Sequence, residues 1–286
     1  MTDTQTYTLI DGRKVSTDIK AEITQKVIER KEAGKKVPHL AIILVGDDGA
    51  SQTYVDNKVK SCKSVGYHYT MMRFADTISE EKLMKHIDHV NNDDDVDGFI
   101  VQLPLPPHIS VEKITEMIRP DKDVDGFTNQ NFGSIISKNP LLMPATPFGV
   151  MELLRRYNIE TEGKHAVVVG ASRIAGAPLS MMLTEHGHAT VTICHKYTKD
   201  LSAFTREADI LLVAVGKPGL IKADMIKEGA VVIDIGTTRV EGPEFPKGWA
   251  ILGDVDFKAV APKCSYITPT PGGVGPMTIA SLLLNT

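Results

Sequence analysis

Tyr54 and Lys58 stand four residues apart in Ala50-Ser-Gln-Thr-Tyr-Val-Asp-Asn-Lys-Val-Lys-Ser-Cys62, a spacing that puts both on one face of a helix. An amine beside a phenol can exchange protons and hold a developing anion when desolvation or a positive neighbour lowers the lysine pKa. The same spacing also fits a solvated lysine above a partly packed tyrosine, flanked by an apolar stripe of Val55, Val59 and Cys62. Gln102 interrupts the apolar run Phe99 to Leu105 just before prolines. An amide buried there must find partners, in the protein or in a ligand. Asp121, Asp123 and Asp125 resemble a calcium loop only superficially, because the 12-residue ligand series and its terminal glutamate are missing, and no metal site is expected. A single carboxylate can instead clamp a cyclic amidine or aminopyrimidinone through paired hydrogen bonds, and Asp125, beside Gly126, is the candidate.

A second group of residues suits a nucleotide. Gly170-Ala-Ser-Arg-Ile-Ala-Gly176 follows an apolar run and precedes a helical one. Gly170 can relieve a tight turn, Ser172 can donate a hydroxyl, and Gly176 lets backbone approach a pyrophosphate at a helix N-terminus. A bare glycine-rich crossover turn would read the same way. NAD sites commonly end the next strand in Asp or Glu, which binds the ribose hydroxyls. Here the chain reads Thr192-Ile-Cys-His-Lys196, so His195, Lys196 and Arg173 favour the extra phosphate of NADP, unless they are only solvated surface. Val215-Gly-Lys-Pro-Gly219 and Ile235-Gly-Thr-Thr238, including Thr237, are strand exits that can line the nicotinamide and ribose.

These groups need strands to hold them. A continuous apolar run from His39 to Val45 suits a buried strand, followed by a helix from Ala50 to about Val65. A strand from Tyr67 to Phe74, a helix from Ser79 to Val90, a strand from Asp97 to Leu103 and a short helix from Val111 to Ile118 continue the alternation. Asp121 to Pro144 reads as an irregular loop region, and Pro147 as a helix start. A second alternating series follows, with strands at 165–169, 190–194 and 208–215, and with 231–235 and 250–252 completing the sheet. The expected fold is α/β: two parallel-sheet αβα domains facing a cleft, the second a Rossmann-like dinucleotide-binding domain, with ligands at the carboxyl ends of the strands.

The 286 residues leave room for two ordinary domains. With 32 Lys and Arg against 36 Asp and Glu, the formal charge of -4 argues against a phosphate-tracking nucleic-acid surface. Cys62, Cys194 and Cys264 show no CxxC spacing, and a reducing cytoplasm is the default. The polar leader MTDTQTYTLIDGRK has no signal-peptide core, and no apolar run reaches the roughly 18 residues of a membrane span.

Read together, five blocks in this order closely resemble the bifunctional methylenetetrahydrofolate dehydrogenase/methenyltetrahydrofolate cyclohydrolase family. They are Ala50-Ser51 through Tyr54 and Lys58, Asp97 to Pro106, Lys122-Asp-Val-Asp-Gly-Phe127, Pro144-Ala-Thr-Pro147 and Tyr266 to Thr278. The resemblance implies a cytoplasmic homodimer of one-carbon metabolism, supplying purine biosynthesis. Such enzymes oxidise 5,10-methylenetetrahydrofolate with NADP and hydrolyse the methenyl product to 10-formyltetrahydrofolate. It implies that Lys58 transfers protons in the hydrolysis, Tyr54 stacks beside the folate, Gln102 orients Lys58, Asp125 grips the pterin-like ring, and Pro271, Gly272 and Gly273 touch the substrate. It also implies a folate-binding catalytic domain over 1–143, an NADP-binding domain over 144–270, and a loop and helix over 271–286 packing back towards the first.

The chain departs from the family pattern where Gly-Arg-Ser is usual. Ala171 replaces the arginine associated with the cofactor phosphate, which leaves NAD open and leaves Arg173, His195 and Lys196 as substitutes. Ala145 replaces a common cysteine, and Thr237-Thr238 a common Ile-Asn. A dehydrogenase with little cyclohydrolase activity and a folate- or nucleotide-binding regulator without turnover are the competing functions. Lys58 and Gln102 favour retention of both steps, and retained Lys58, Tyr54 and Asp125 weigh against the regulator.

Overall fold

The computed structural model describes residues 6–137 and 139–286, so the first five residues of the polar leader lie outside it. The chain forms two compact units. One comprises the described residues up to Ser16 together with Thr146–Thr278, the other Thr17–Ala145 with Ile279–Thr286.

In the second of these, His39–Val45 is the middle of a three-stranded parallel sheet, between His68–Phe74 and Gly98–Val101. Its continuous apolar run follows from burial on both faces. Ala41, Ile43 and Val45 pack with Leu83, Ile87, Val90 and Phe99, while Leu40, Ile42 and Leu44 are equally enclosed. Helix Gly49–Val65 packs against this sheet. It starts at Asp48, whose carboxylate accepts from the Ser51 amide at 2.7 Å, and ends at Gly66 with φ 81°. The expected helix at 79–90 forms as Glu80–Asn91, with Ser79 accepting the Lys82 amide as its cap. The region read as irregular contains one short helix, Asn129–Ser134, capped by Thr128. The C-terminal residues belong to this unit through Asn285, whose amide donates to the carbonyls of Val124 and Met143 at 2.9 and 2.8 Å.

The other unit is built on a six-stranded, wholly parallel sheet in the order Thr8–Leu9, Tyr266–Ile267, Val231–Asp234, Ile210–Val213, His165–Val169, Thr190–Cys194. Its inner strands are apolar on both faces, with helix Gly176–Glu185 packed against His165–Val169 and Thr190–Cys194. Two expectations need correction. Ala250–Leu252 does not complete the sheet: Trp249–Leu252 pairs antiparallel with Thr238–Glu241 in a separate ribbon. All four residues of Trp249–Leu252 are half-buried, a burial that an apolar run alone does not distinguish from a core strand. The sheet's outer strand is instead Thr8–Leu9 from the polar leader, a two-residue pairing too short to show any periodicity.

Candidate functional site

Helix Gly49–Val65 turns Ser51, Val55, Lys58, Cys62 and Val65 inward, at the three- and four-residue spacing of one helix face. Lys58 is therefore on the buried face, at 7 % exposure, and Tyr54 is the exposed member of the pair at 52 %. This is the reverse of a solvated lysine above a partly packed tyrosine. Beneath it, burial pushes the Cys62 thiol up to about 11, so this cysteine is a packing residue rather than a nucleophile.

Two groups meet the buried amine. Lys58 Nζ donates to Gln102 Oε1 at 3.2 Å and lies 3.9 Å from Asp125 Oδ2. Gln102 stands just beyond strand Gly98–Val101, and its Nε2 donates to the Leu103 carbonyl at 2.7 Å, which fixes the amide with its oxygen towards Lys58. Here the protein itself supplies the partners that the sequence left undecided. The peptide bond that follows, Leu103–Pro104, is cis.

The three aspartates separate by role. Asp121 pairs with Arg119 at the surface. Asp123 is buried and spends both oxygens on the loop itself, accepting from the amides of Gly126 and Thr128 and from Asn131 Nδ2 at 2.8–3.0 Å. Asp125 alone faces Lys58. Burial holds its carboxyl above the usual carboxylate range, Lys58 pulls the other way, and Asp123 adds to the rise. Its carbonyl accepts from Ala145, and Gly126, with φ 73°, closes the turn where a Cβ would strike Pro144. Buried amine, fixed amide and a carboxyl reluctant to ionise form a group able to move protons and to bind a hydrogen-bonding heterocycle.

In the unit with the six-stranded sheet, Gly170, Ala171, Ser172, His195 and Lys196 line one cavity of about 670 Å³ at the carboxyl ends of the strands. Gly170 takes φ 119° at a point where a Cβ would collide with the Ala214 carbonyl. Gly176 opens the helix, and a Cβ there would collide with the Gly170 carbonyl, so both glycines are required by close backbone approach. The Ser172 hydroxyl accepts from the Ala175 amide at 3.3 Å. This cradle and its cations fit a dinucleotide. Arg173 and Thr237 are exposed and lie outside the lining. Lys217 and Thr198 line the cavity and were not singled out from sequence. For Lys217 the signal was present, in a Gly-Lys-Pro-Gly turn at a strand exit. Pro271 follows a cis peptide bond, and Gly272, with φ 118°, accepts the Arg13 amide in the same unit.

In the unit with the three-stranded sheet, a further hollow of about 720 Å³ opens at the amino ends of the strands, beside His39 and His68. It carries none of the predicted residues, and both His39 ring nitrogens are engaged, by the Asp95 carbonyl and the Thr70 hydroxyl. Among the described residues no helix is long and apolar enough to cross a membrane.

Comparison with known proteins agrees with this geometry. Residues 10–125 match the catalytic domain of tetrahydrofolate dehydrogenase/cyclohydrolase, and residues 144–286 match its NAD(P)-binding domain. The bifunctional protein FolD of Flavobacterium johnsoniae is 55% identical over 97% of this chain and 95% of its own. The crystal structure of the bifunctional methylenetetrahydrofolate dehydrogenase/cyclohydrolase of Campylobacter jejuni superposes with a TM-score of 0.91 at 47% identity, covering 98% of this chain and 96% of that one. The Trypanosoma brucei dehydrogenase-cyclohydrolase, solved with NADP and an inhibitor, gives 0.92 at 38% identity over 98% and 95% of the two chains. The chain belongs to the tetrahydrofolate dehydrogenase/cyclohydrolase family and is a bifunctional enzyme.

Proposed function

We propose that the chain oxidises 5,10-methylenetetrahydrofolate to the 5,10-methenyl compound with NADP and hydrolyses that product to 10-formyltetrahydrofolate, with Lys58 as the proton carrier. The observation that carries this reading is the Lys58, Gln102 and Asp125 cluster, in which a buried amine is held by an amide rather than by a tight ion pair.

The carbon between the two folate nitrogens can lose hydride because the product spreads its positive charge over both. When bound, the nicotinamide supplies the hydride acceptor. Asp125 grips the pterin-like ring through paired hydrogen bonds, and Tyr54 offers its exposed ring as a stacking surface. Water then adds to the methenyl carbon, and Lys58 Nζ accepts a proton from it. As the bond from that carbon to N5 breaks, Nζ returns a proton to the nitrogen, so that water and the methenyl cation become the formyl compound and one released proton. Gln102 keeps Nζ in place throughout.

On the cofactor side, Gly170, Ala171, Ser172 and Gly176 form the pyrophosphate cradle, and His195 and Lys196 take the 2′-phosphate in place of the arginine absent at 171. Arg173 and Thr237 contribute from the rim. The enzyme works as a cytoplasmic homodimer, which a sedimentation measurement would test. A paired assay following reduced nucleotide and methenyltetrahydrofolate, with NADP and with NAD, tests the reaction. Formation of both signals with NADP is expected. Binding of folate and nucleotide without either signal would leave a regulator, and accumulation of the methenyl compound would leave a dehydrogenase alone.

A further inference from the structure

Behind the nucleotide cavity lie two carboxylates that the reaction does not use. Asp234 ends strand Val231–Asp234 and is 4 % exposed; Asp254 is fully buried. Among the described residues neither forms an ion pair with a cation, and each instead collects three backbone amides. Asp254 accepts from Val215 and Gly216 through Oδ2, at 2.7 and 3.0 Å, and from Lys217 through Oδ1 at 2.6 Å. Asp234 accepts from Gly236 and from Asp254 itself through Oδ1, both at 3.0 Å, and from Val255 through Oδ2 at 3.1 Å. Hydrogen bonds from amides to an ionised carboxylate are about twice as strong as neutral ones, so the two residues form a rigid relay running from the carboxyl end of the inner strand Val231–Asp234 to the 215–217 turn.

Glycines make room for it. A Cβ on Gly236 would collide with the Asp254 carboxyl, and one on Gly253 with the Asp234 carboxyl. The turn that the relay fixes supplies Val215 and Lys217 to the cavity wall that also holds His195 and Lys196.

We propose that Asp254 is a positioning residue for the nucleotide, fixing the 215–217 turn so that Lys217 serves beside Lys196 as a second lysine of the cavity, with Asp234 in turn holding Asp254. The inference rests on the assignment of this cavity to the dinucleotide. An asparagine at 254 keeps the shape but turns an NH2 group towards backbone amides that need an acceptor. The Lys217 side chain is exposed, so its removal does not threaten the fold.

The experiment measures NADP KM and kcat for the dehydrogenase, and methenyl hydrolysis without nucleotide, in the wild-type chain and in Asp254→Asn and Lys217→Ala. Asp254→Asn should raise NADP KM about tenfold or more while kcat changes less than about threefold and hydrolysis less than about twofold. Lys217→Ala should raise NADP KM about fivefold or more with the same split. Unchanged NADP KM in either variant overturns the proposal, as does a parallel loss of both activities in a folded Asp254→Asn. If Asp254→Asn fails to fold, Lys217→Ala decides alone. A wild-type chain that turns over neither substrate would defeat the assignment of the reaction instead, and is distinguished by the absence of any baseline activity.

Discussion

Lys58 Nζ lies closer to the amide oxygen of Gln102, at 3.2 Å, than to the nearer carboxylate oxygen of Asp125, at 3.9 Å. A buried lysine locked into a short ion pair would be a poor proton carrier, because its proton would be held by the full charge of its partner. The amide orients the amine at much lower electrostatic cost, and the carboxyl remains close enough to steady it.

Replacement of Lys58 by Met therefore removes the proton carrier without opening a cavity. Cyclohydrolase turnover should fall by about 10²-fold or more, the usual contribution of a positioned acid or base, while NADP binding is retained. Gln102→Leu, which deletes the orienting oxygen, should lower cyclohydrolase kcat by about tenfold or more and leave nucleotide Kd unchanged. Stopped assays of methenyl hydrolysis beside nucleotide titrations check both. Equal loss of hydrolysis and nucleotide binding in Lys58→Met would contradict the assignment.

The sequence shows why Lys58 was ambiguous and Gln102 less so. Four-residue spacing places Tyr54 and Lys58 side by side, but cannot say which faces the sheet. That depends on the rotation of the helix, which Val55, Cys62 and Val65 fix by burying their side chains. Gln102 was legible because a polar residue inside an apolar strand run has to be paired. The alternating strands were legible for the same reason that they are buried, whereas the ribbon of Thr238–Glu241 with Trp249–Leu252 and the strand Thr8–Leu9 depend on long-range pairing that no local pattern encodes. Asp254 leaves no mark in the sequence because its three partners are backbone amides about forty residues earlier, invisible to side-chain spacing.

Asp125→Ala should weaken folate binding. Asp123 beside it is committed to the loop and cannot move to replace it. Loss of the paired hydrogen bonds made by the Asp125 carboxyl predicts a rise in folate Kd of about tenfold or more. Fluorescence titration with folate measures it, and an unchanged Kd would remove Asp125 from the binding role.

Phosphate selection in the absence of an arginine at 171 rests on the Lys196 ammonium and the His195 ring. His195 Nδ1 accepts from the Tyr197 amide at 3.2 Å, and Lys196 Nζ lies 4.9 Å from the Tyr197 ring centre, so both are gathered at one turn. The wild-type chain should prefer NADP to NAD in kcat/KM, Lys196→Ala should reduce that preference about fivefold or more, and Ala171→Arg should enlarge it. Steady-state kinetics with both nucleotides tests all three, and a wild-type preference for NAD would show that these residues do not read the 2′-phosphate.

The buried carboxyl of Asp234 makes a prediction for stability. Burial pushes it up to about 6 from an ordinary 3.8, with the nearby Asp254 adding to the rise against the three amides that favour ionisation. Between those two values the folded state binds this proton more tightly than the unfolded state does. The contribution of Asp234 to stability is therefore fully present below about pH 4, declines as pH rises to about 6 and is constant above, a total change on the order of 3 kcal/mol. Asp234→Asn cannot ionise and lacks this dependence. In urea titrations from pH 4 to pH 7, the stability of the wild-type chain relative to Asp234→Asn should thus fall with rising pH. A difference that grows with pH would mean that the three amides outweigh burial and that Asp234 is ionised throughout.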